Sequence, residues 1–126
     1  LAGIYGGANH AQVTMNGIGE RSGNASLEEV AMNLKIREDY YRCLIGIDFS
    51  NIYKTSQLVY KILGRNPSHE KPIVGVNSFR HEAGIHVAGM LKDRRTYESI
   101  LPSIVGRKSE MIKGAHSGKE EKFHGN

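Results

Sequence analysis

Between Asn16 and Asn24 the chain reads Asn-Gly-Ile-Gly-Glu-Arg-Ser-Gly-Asn. Glycines at 17, 19 and 23 let the backbone turn sharply and approach itself or a ligand closely, so this stretch is predicted to be a tight loop. What flanks it fixes the local order. His10 to Met15 alternates polar His10, Gln12 and Thr14 with Ala11, Val13 and Met15, which predicts a short strand. On the far side, Ser26-Leu27-Glu28-Glu29 reads as a capping box, with Ser26 accepting from the Glu29 amide while Glu29 reaches back. Leu27, Val30, Ala31 and Leu34 then form one apolar stripe, with Glu28 and Glu29 early and Lys35 and Arg37 late to suit the helix dipole. The order is strand, glycine loop, capped helix.

A second helix is predicted from Phe49 or Ser50 to Leu63, with Ile52, Val59, Ile62 and Leu63 on one side and Gly64 ending it before Pro67. Thr55 and Ser56 weaken that stripe. Ile73 to Val76 reads as an extended piece, and Ser78 to Leu91 as a glycine-punctuated helical stretch. The tail from Lys108 onward is polar and carries little core.

Composition narrows the functional classes. With 126 residues and 39% hydrophobic content, the chain is one modest soluble domain or a piece of a larger one. No run approaches the roughly 18 apolar residues of a membrane span. Cys43 is the one cysteine, so no internal disulfide, cysteine zinc cluster or CxxC pair exists, which suits a reducing cytoplasm. Seventeen basic against thirteen acidic residues give a net charge of +4. The basic residues are spread out, and the densest group, Lys92 to Arg95, is interrupted by Asp93, so nucleic-acid binding is not expected. No secretory signal is visible, and the start at Leu1 reads as a truncation.

Two constellations carry chemistry. Gly17, Gly19 and Gly23 give GxGxxxG, one residue longer than the dinucleotide fingerprint, and no P-loop lysine follows. The loop does supply a carboxylate (Glu20), a guanidinium (Arg21) and a carboxamide (Asn24); at the C-terminal end of a barrel strand such groups face an active site. The alternative is an Arg21–Glu20 pair closing a sharp turn. The second constellation is His81-Glu82-Ala83-Gly84-Ile85-His86. Its histidines are five apart, roughly 140° round a helix, so they do not form the HExxH zinc pair. Either can act as a general acid or base near neutral pH, or sit satisfied at a packing interface. Tyr97 reads as a packing residue, and His116-Ser117-Gly118 as a polar turn able to hold an anion.

Taken in order, residues 16–30, Ile73-Val74-Gly75, Phe79-Arg80-His81-Glu82-Ala83-Gly84-Ile85-His86, Thr96-Tyr97-Glu98 and His116-Ser117-Gly118 closely resemble the 2-isopropylmalate synthases and related homocitrate synthases. The resemblance runs through nearly the whole chain. It implies an α/β fold: the C-terminal end of a TIM (β/α)8 barrel, residues 1–43, followed by a mainly helical linker subdomain, residues 44–126. The family condenses acetyl-CoA with a 2-oxo acid and then hydrolyses the thioester, using a divalent metal ion (Mg, Mn or Zn) as Lewis acid. Most of its metal ligands, including an HxH pair, do not occur in this sequence.

The resemblance also implies roles. His86 and Glu20 are expected to be catalytic, His86 in proton transfer and Glu20 as the acidic group that orients it. Asn24 is expected to complete or support the metal site, while Arg21, His81 and Asn16 shape the substrate region or stand behind it. Val87-Ala88 replaces the Gln-Asp of many isopropylmalate synthases, and Val at the first position is also common among homocitrate synthase relatives. Homocitrate or citramalate synthase, and a non-catalytic subunit of a split synthase, therefore stand as alternatives. The family further implies a cytoplasmic homodimer with no membrane or nucleic-acid partner. The isolated chain is expected to be inactive and to self-associate through exposed edges.

Overall fold

The computed structural model describes residues 1–81 and 100–111. Four helices come first: α1 (Ala2–Tyr5), α2 (Leu27–Ile36), α3 (Glu38–Tyr41) and α4 (Ile52–Ile62). Two-residue strands follow, β1 (Arg80–His81) and β2 (Glu110–Met111), which pair in parallel. Short 3-10 turns stand at Met15–Gly17, Phe49–Asn51 and Pro102–Val105. No helix among the described residues is long and apolar enough to cross a membrane.

One hydrophobic cluster joins these pieces. Ala31 and Met32 of α2, Phe49 and Ile52 around the start of α4, Ile73, Val74 and Phe79 from the following turns, and Val105 are all buried together. Arg107 closes its rim. Its guanidinium donates to the carbonyls of Gly75 (2.5 Å) and Val76 (3.0 Å) while lying 4.6 Å from the Tyr53 ring centroid and 5.2 Å from that of Phe79. A planar cation can do both at once, because its edge donates while its face stacks. Away from this core, Tyr5 of α1 stacks on Tyr40 of α3 with ring centroids 5.0 Å apart.

The capped helix predicted after the glycine loop is α2, which begins after Ser26 as predicted, but its cap differs. The Ser26 hydroxyl is buried without a partner among the described residues, and the Glu29 carboxylate turns instead to Lys71 at 2.8 Å. An ammonium ion across the fold outcompetes the reciprocal capping bond. The buried face is also rotated from the predicted stripe: Glu28, Ala31, Met32 and Leu34 are buried, whereas Leu27 and Val30 are only half-buried. Core packing, not helix periodicity alone, selects the face.

The next predicted helix, α4 with its 3-10 entry, matches its predicted ends. Asp48 caps its 3-10 entry, accepting from the Ser50 amide at 3.0 Å, the Ser50 hydroxyl at 2.6 Å and the Asn51 side chain at 2.6 Å. Gly64, at φ +61°, ends it in the left-handed conformation glycine tolerates best. Its predicted face holds at Ile52 but not at its C-terminal end. Ile52, Ser56 and Tyr60 are the buried residues, while Ile62 is 73% and Leu63 47% exposed. The serine that weakened the stripe lies at its centre, because its hydroxyl has a buried partner.

Three other expectations are corrected. Residues 10–15 form no strand; they contribute a single parallel bridge, Thr14 to Ser26, since a strand exists only through neighbours and the described residues supply one pairing. Ile73 to Val76 is not extended. The Val74 amide donates to the Pro72 carbonyl at 2.7 Å across Ile73, which has φ +69°, the signature of a γ-turn. Ile73 and Val74 are consecutive and both buried, so the turn delivers two neighbouring side chains to the core. Ser78 to His81 is turn and strand instead of helix, because the Phe79 carbonyl accepts from the Glu110 amide at 2.9 Å and starts the β1–β2 pairing. The remainder of that predicted helix lies outside the described residues.

Two predictions follow from this packing. Met32→Ala, at 1% exposure, is expected to cost about 2–5 kcal/mol in urea denaturation, whereas Ile62→Ala should stay within about 0.5 kcal/mol. Hydrogen bonds from the Ser50 side chain, the Asn51 side chain and the Ser50 amide hold the Asp48 carboxyl below its ordinary value of 3.8. Its folded pKa is depressed, so its stabilising contribution is present above the unfolded value and lost as pH falls through the folded one. Asp48→Asn, which keeps an acceptor, should flatten the fall of Tm below about pH 4.

Candidate functional site

The glycine loop is closed by backbone bonds at every level. At its base the Thr14 amide donates to Ala25 O (3.0 Å) and the Leu27 amide to Thr14 O (2.9 Å). Midway, the Asn24 amide donates to Gly17 O at 2.9 Å, and at the tip the Gly23 amide donates to Glu20 O at 3.0 Å. The two limbs lie too close for side chains. A Cβ on Gly23 would stand 2.3 Å from Gly17 O, and one on Gly19 would stand 2.2 Å from Asn24 Nδ2. Gly23 has φ +89° and Arg21 φ +54°, so the tip turns through the left-handed region.

This geometry displays Glu20, Arg21 and Asn24 together on one exposed loop. Glu20 and Arg21 do not pair with each other: the backbone bond closes the turn that the side-chain pair was to close. Among the described residues no ion pair or hydrogen bond holds either side chain, which leaves a carboxylate and a guanidinium free to meet a ligand or another segment. Asn24 also lines a cavity of about 220 Å³ with Gln12, Val13 and Thr14.

Asn16 lies beneath the loop. It is buried, with φ +60°, and its carboxamide is used twice by α4: Nδ2 donates to Ser56 O (3.1 Å), and Oδ1 accepts from Ser56 Oγ (2.5 Å). Its amide donates to Glu28 Oε2 at 3.0 Å. Glu28 is fully buried, and its other oxygen faces Lys71 Nζ at 3.6 Å. Lys71 completes the group by bonding Glu29 at 2.8 Å. Burial works against the Lys71 charge, but the Glu29 hydrogen bond and the charges of Glu28 and Glu29 outweigh it and hold its pKa above the ordinary 10.5.

The structure therefore brings four of the sequence-predicted site residues into one neighbourhood, Asn16, Glu20, Arg21 and Asn24. His81 lies in β1, its backbone paired with Met111. His86, Tyr97, Glu98 and His116 to Gly118 lie outside the described residues. Sequence reasoning missed Glu28, Ser56 and Lys71 as supports of the loop. A signal existed for Glu28, which stands three and four positions before Ala31 and Met32 and so shares their face. Lys71 gave none, being a lone cation before Pro72.

No group of three His, Cys, Asp or Glu side chains able to hold a metal ion is found among the described residues. Asn24 offers one neutral carboxamide oxygen, a ligand type suited to Mg or Mn, and fits a supporting place in a metal site completed by other residues.

Residues 1–59 match the HMGL-like family, a TIM-barrel family, and residues 73–121 match the homocitrate synthase post-HMGL domain-like family. The chain is 49% identical over 119 residues to the 2-isopropylmalate synthase of Shouchella clausii. It is 50% identical over 120 residues to that of Halalkalibacterium halodurans and 48% over 120 residues to that of Rhodopirellula baltica. Each alignment covers 94% of this chain and 23% of the relative, so the chain spans about a quarter of the length of the curated relatives it matches. With one family matched ahead of the other in a single chain, and relatives near half identity across both, the chain is similar over nearly its whole length to 2-isopropylmalate synthases and to the homocitrate-synthase-like family.

Proposed function

We propose that this segment is part of a 2-isopropylmalate synthase of leucine biosynthesis, acting on 3-methyl-2-oxobutanoate and acetyl-CoA in the cytoplasm. The observation that carries this reading is the near-half identity to proteins named 2-isopropylmalate synthase, sustained over 94% of the chain. In the reaction a methyl proton leaves acetyl-CoA, the resulting carbon attacks the 2-oxo carbon, and water cleaves the thioester to release CoA. Residues 1–43 would form the last strand and helix of the barrel, and residues 44–126 the linker subdomain. The enzyme would act as a homodimer.

This chain's own groups divide the work. Glu20, exposed on the loop tip without a partner among the described residues, is available to orient or charge-couple to His86. His86 moves the proton, a role an imidazole fills near neutral pH. Arg21 supplies positive charge beside Glu20, where the substrates' anionic groups approach, and His81 supports the segment that carries His86. Asn24 would give one oxygen to a divalent ion held mainly by residues elsewhere in the enzyme. The chemistry such an ion supplies when bound is Lewis-acid polarisation of the 2-oxo carbonyl. Homocitrate or citramalate synthase is the second reading.

The test is CoA release by the full-length enzyme against 3-methyl-2-oxobutanoate and other 2-oxo acids. His86→Ala and Glu20→Gln should each lower kcat by about a hundredfold or more, the usual weight of a positioned acid or base. Wild-type rates in both variants would overturn the site assignment, and preference for a different 2-oxo acid would move the reading to the homocitrate or citramalate reaction.

A further inference from the structure

The loop that displays Glu20 and Asn24 and the turns that run into β1 are about 50 positions apart in sequence, and Lys71 touches both. Its ammonium bonds Glu29 at 2.8 Å and faces the buried Glu28 at 3.6 Å. Glu28 in turn accepts the amide of Asn16 at 3.0 Å, where the loop begins. The ammonium lies only 3.9 Å from the place a Cβ on Gly17 would occupy, directly against the loop's base. The backbone of the same residue organises the other segment. Lys71 O accepts from the Gly75 amide at 2.8 Å and from the Ser78 hydroxyl at 2.7 Å, which folds the turns running into β1.

We propose that Lys71 is a positioning residue that sets the placement of the Glu20–Asn24 loop relative to the turns of residues 71–81, through one side chain and one carbonyl. This deepens the synthase reading and rests on it. The physical case is that a buried carboxylate needs a countercharge, and Lys71 is the cation this structure puts beside Glu28. An ion pair crossing 43 positions of sequence, from 28 to 71, ties the start of α2 beneath the loop to the 71–81 turns at a defined point. Misplacing catalytic groups by about 1 Å can cost on the order of a hundredfold in rate, so a residue touching no substrate can govern turnover.

The experiment uses the full-length enzyme with Lys71→Met, which keeps the bulk of the stem and removes the charge, and Lys71→Arg, which keeps the charge. Turnover is followed by CoA release, and backbone hydrogen exchange is measured over residues 14–27, 71–81 and, as an internal reference, 58–63. The expected result for Lys71→Met is a fall in kcat of about tenfold to a hundredfold, with KM for acetyl-CoA within about twofold. Exchange should quicken in both coupled segments and stay unchanged in the reference, and Lys71→Arg should restore most of kcat. Unchanged kcat in Lys71→Met would overturn the proposal. So would a uniform rise in exchange with equal losses in both variants, which would make Lys71 a stability residue only. If the wild-type enzyme releases no CoA with any 2-oxo acid, the synthase reading fails separately. The coupling then stands if exchange quickens in both segments and falls if it does not.

Discussion

The Glu28 carboxylate, fully buried at the start of α2, is the point on which the rest of the structure depends. One oxygen takes the amide of Asn16 and the other faces Lys71. Such a pair is not in itself strong evidence of stability, since desolvating two charges offsets much of their attraction. Its value lies in what it forbids. Removing Lys71 strands the fully buried Glu28 charge, at a cost of about 3–5 kcal/mol, so the loop, the helix and the 71–79 turns are held to one mutual arrangement. Asn16 extends the same constraint to α4 through Ser56, making a continuous polar seam under the exposed loop.

Features governed by neighbours in sequence were legible before the structure. The glycine loop, the start of α2 after Ser26, the opening of the second predicted helix near Phe49 and Gly64 closing it all depend on turn and cap chemistry acting over a few residues. The loop's side chains were legible too: Glu20, Arg21 and Asn24 stand exposed where the glycines require the limbs to touch. What failed depended on distant partners. The capping box lost Glu29 to Lys71, 42 positions away, and no local pattern encodes that competition. Ser56 looked like a flaw in an apolar stripe because its partner, Asn16, is 40 positions distant.

The γ-turn at Ile73 shows the same limit in the backbone. A β-branched residue at φ +69° is costly, about 1–3 kcal/mol, and no propensity argument would place it there. Its surroundings explain why it persists. Ile73 and Val74 are both buried in the common cluster, and the turns that follow are fixed by the Lys71 carbonyl on one side and the Arg107 guanidinium on the other. The strain is local, whereas the burial and the hydrogen bonds that oppose it come from four separate elements.

A purely apolar residue at position 28 would pack as well against Ala31 and Met32, yet it would not build the same loop. Asn16 has positive φ, which aims its amide into the core and away from water. A buried donor left without an acceptor costs about 1–3 kcal/mol, and the cheapest escape is for residue 16 to leave the left-handed region. Gly17 and Asn24 would then lose the 2.9 Å bond that holds the loop's limbs together. The carboxylate is therefore needed for the conformation of a residue 12 positions upstream, and Lys71 is needed for the carboxylate. In this chain an exposed set of chemically active side chains is placed by a buried charge that none of them touches.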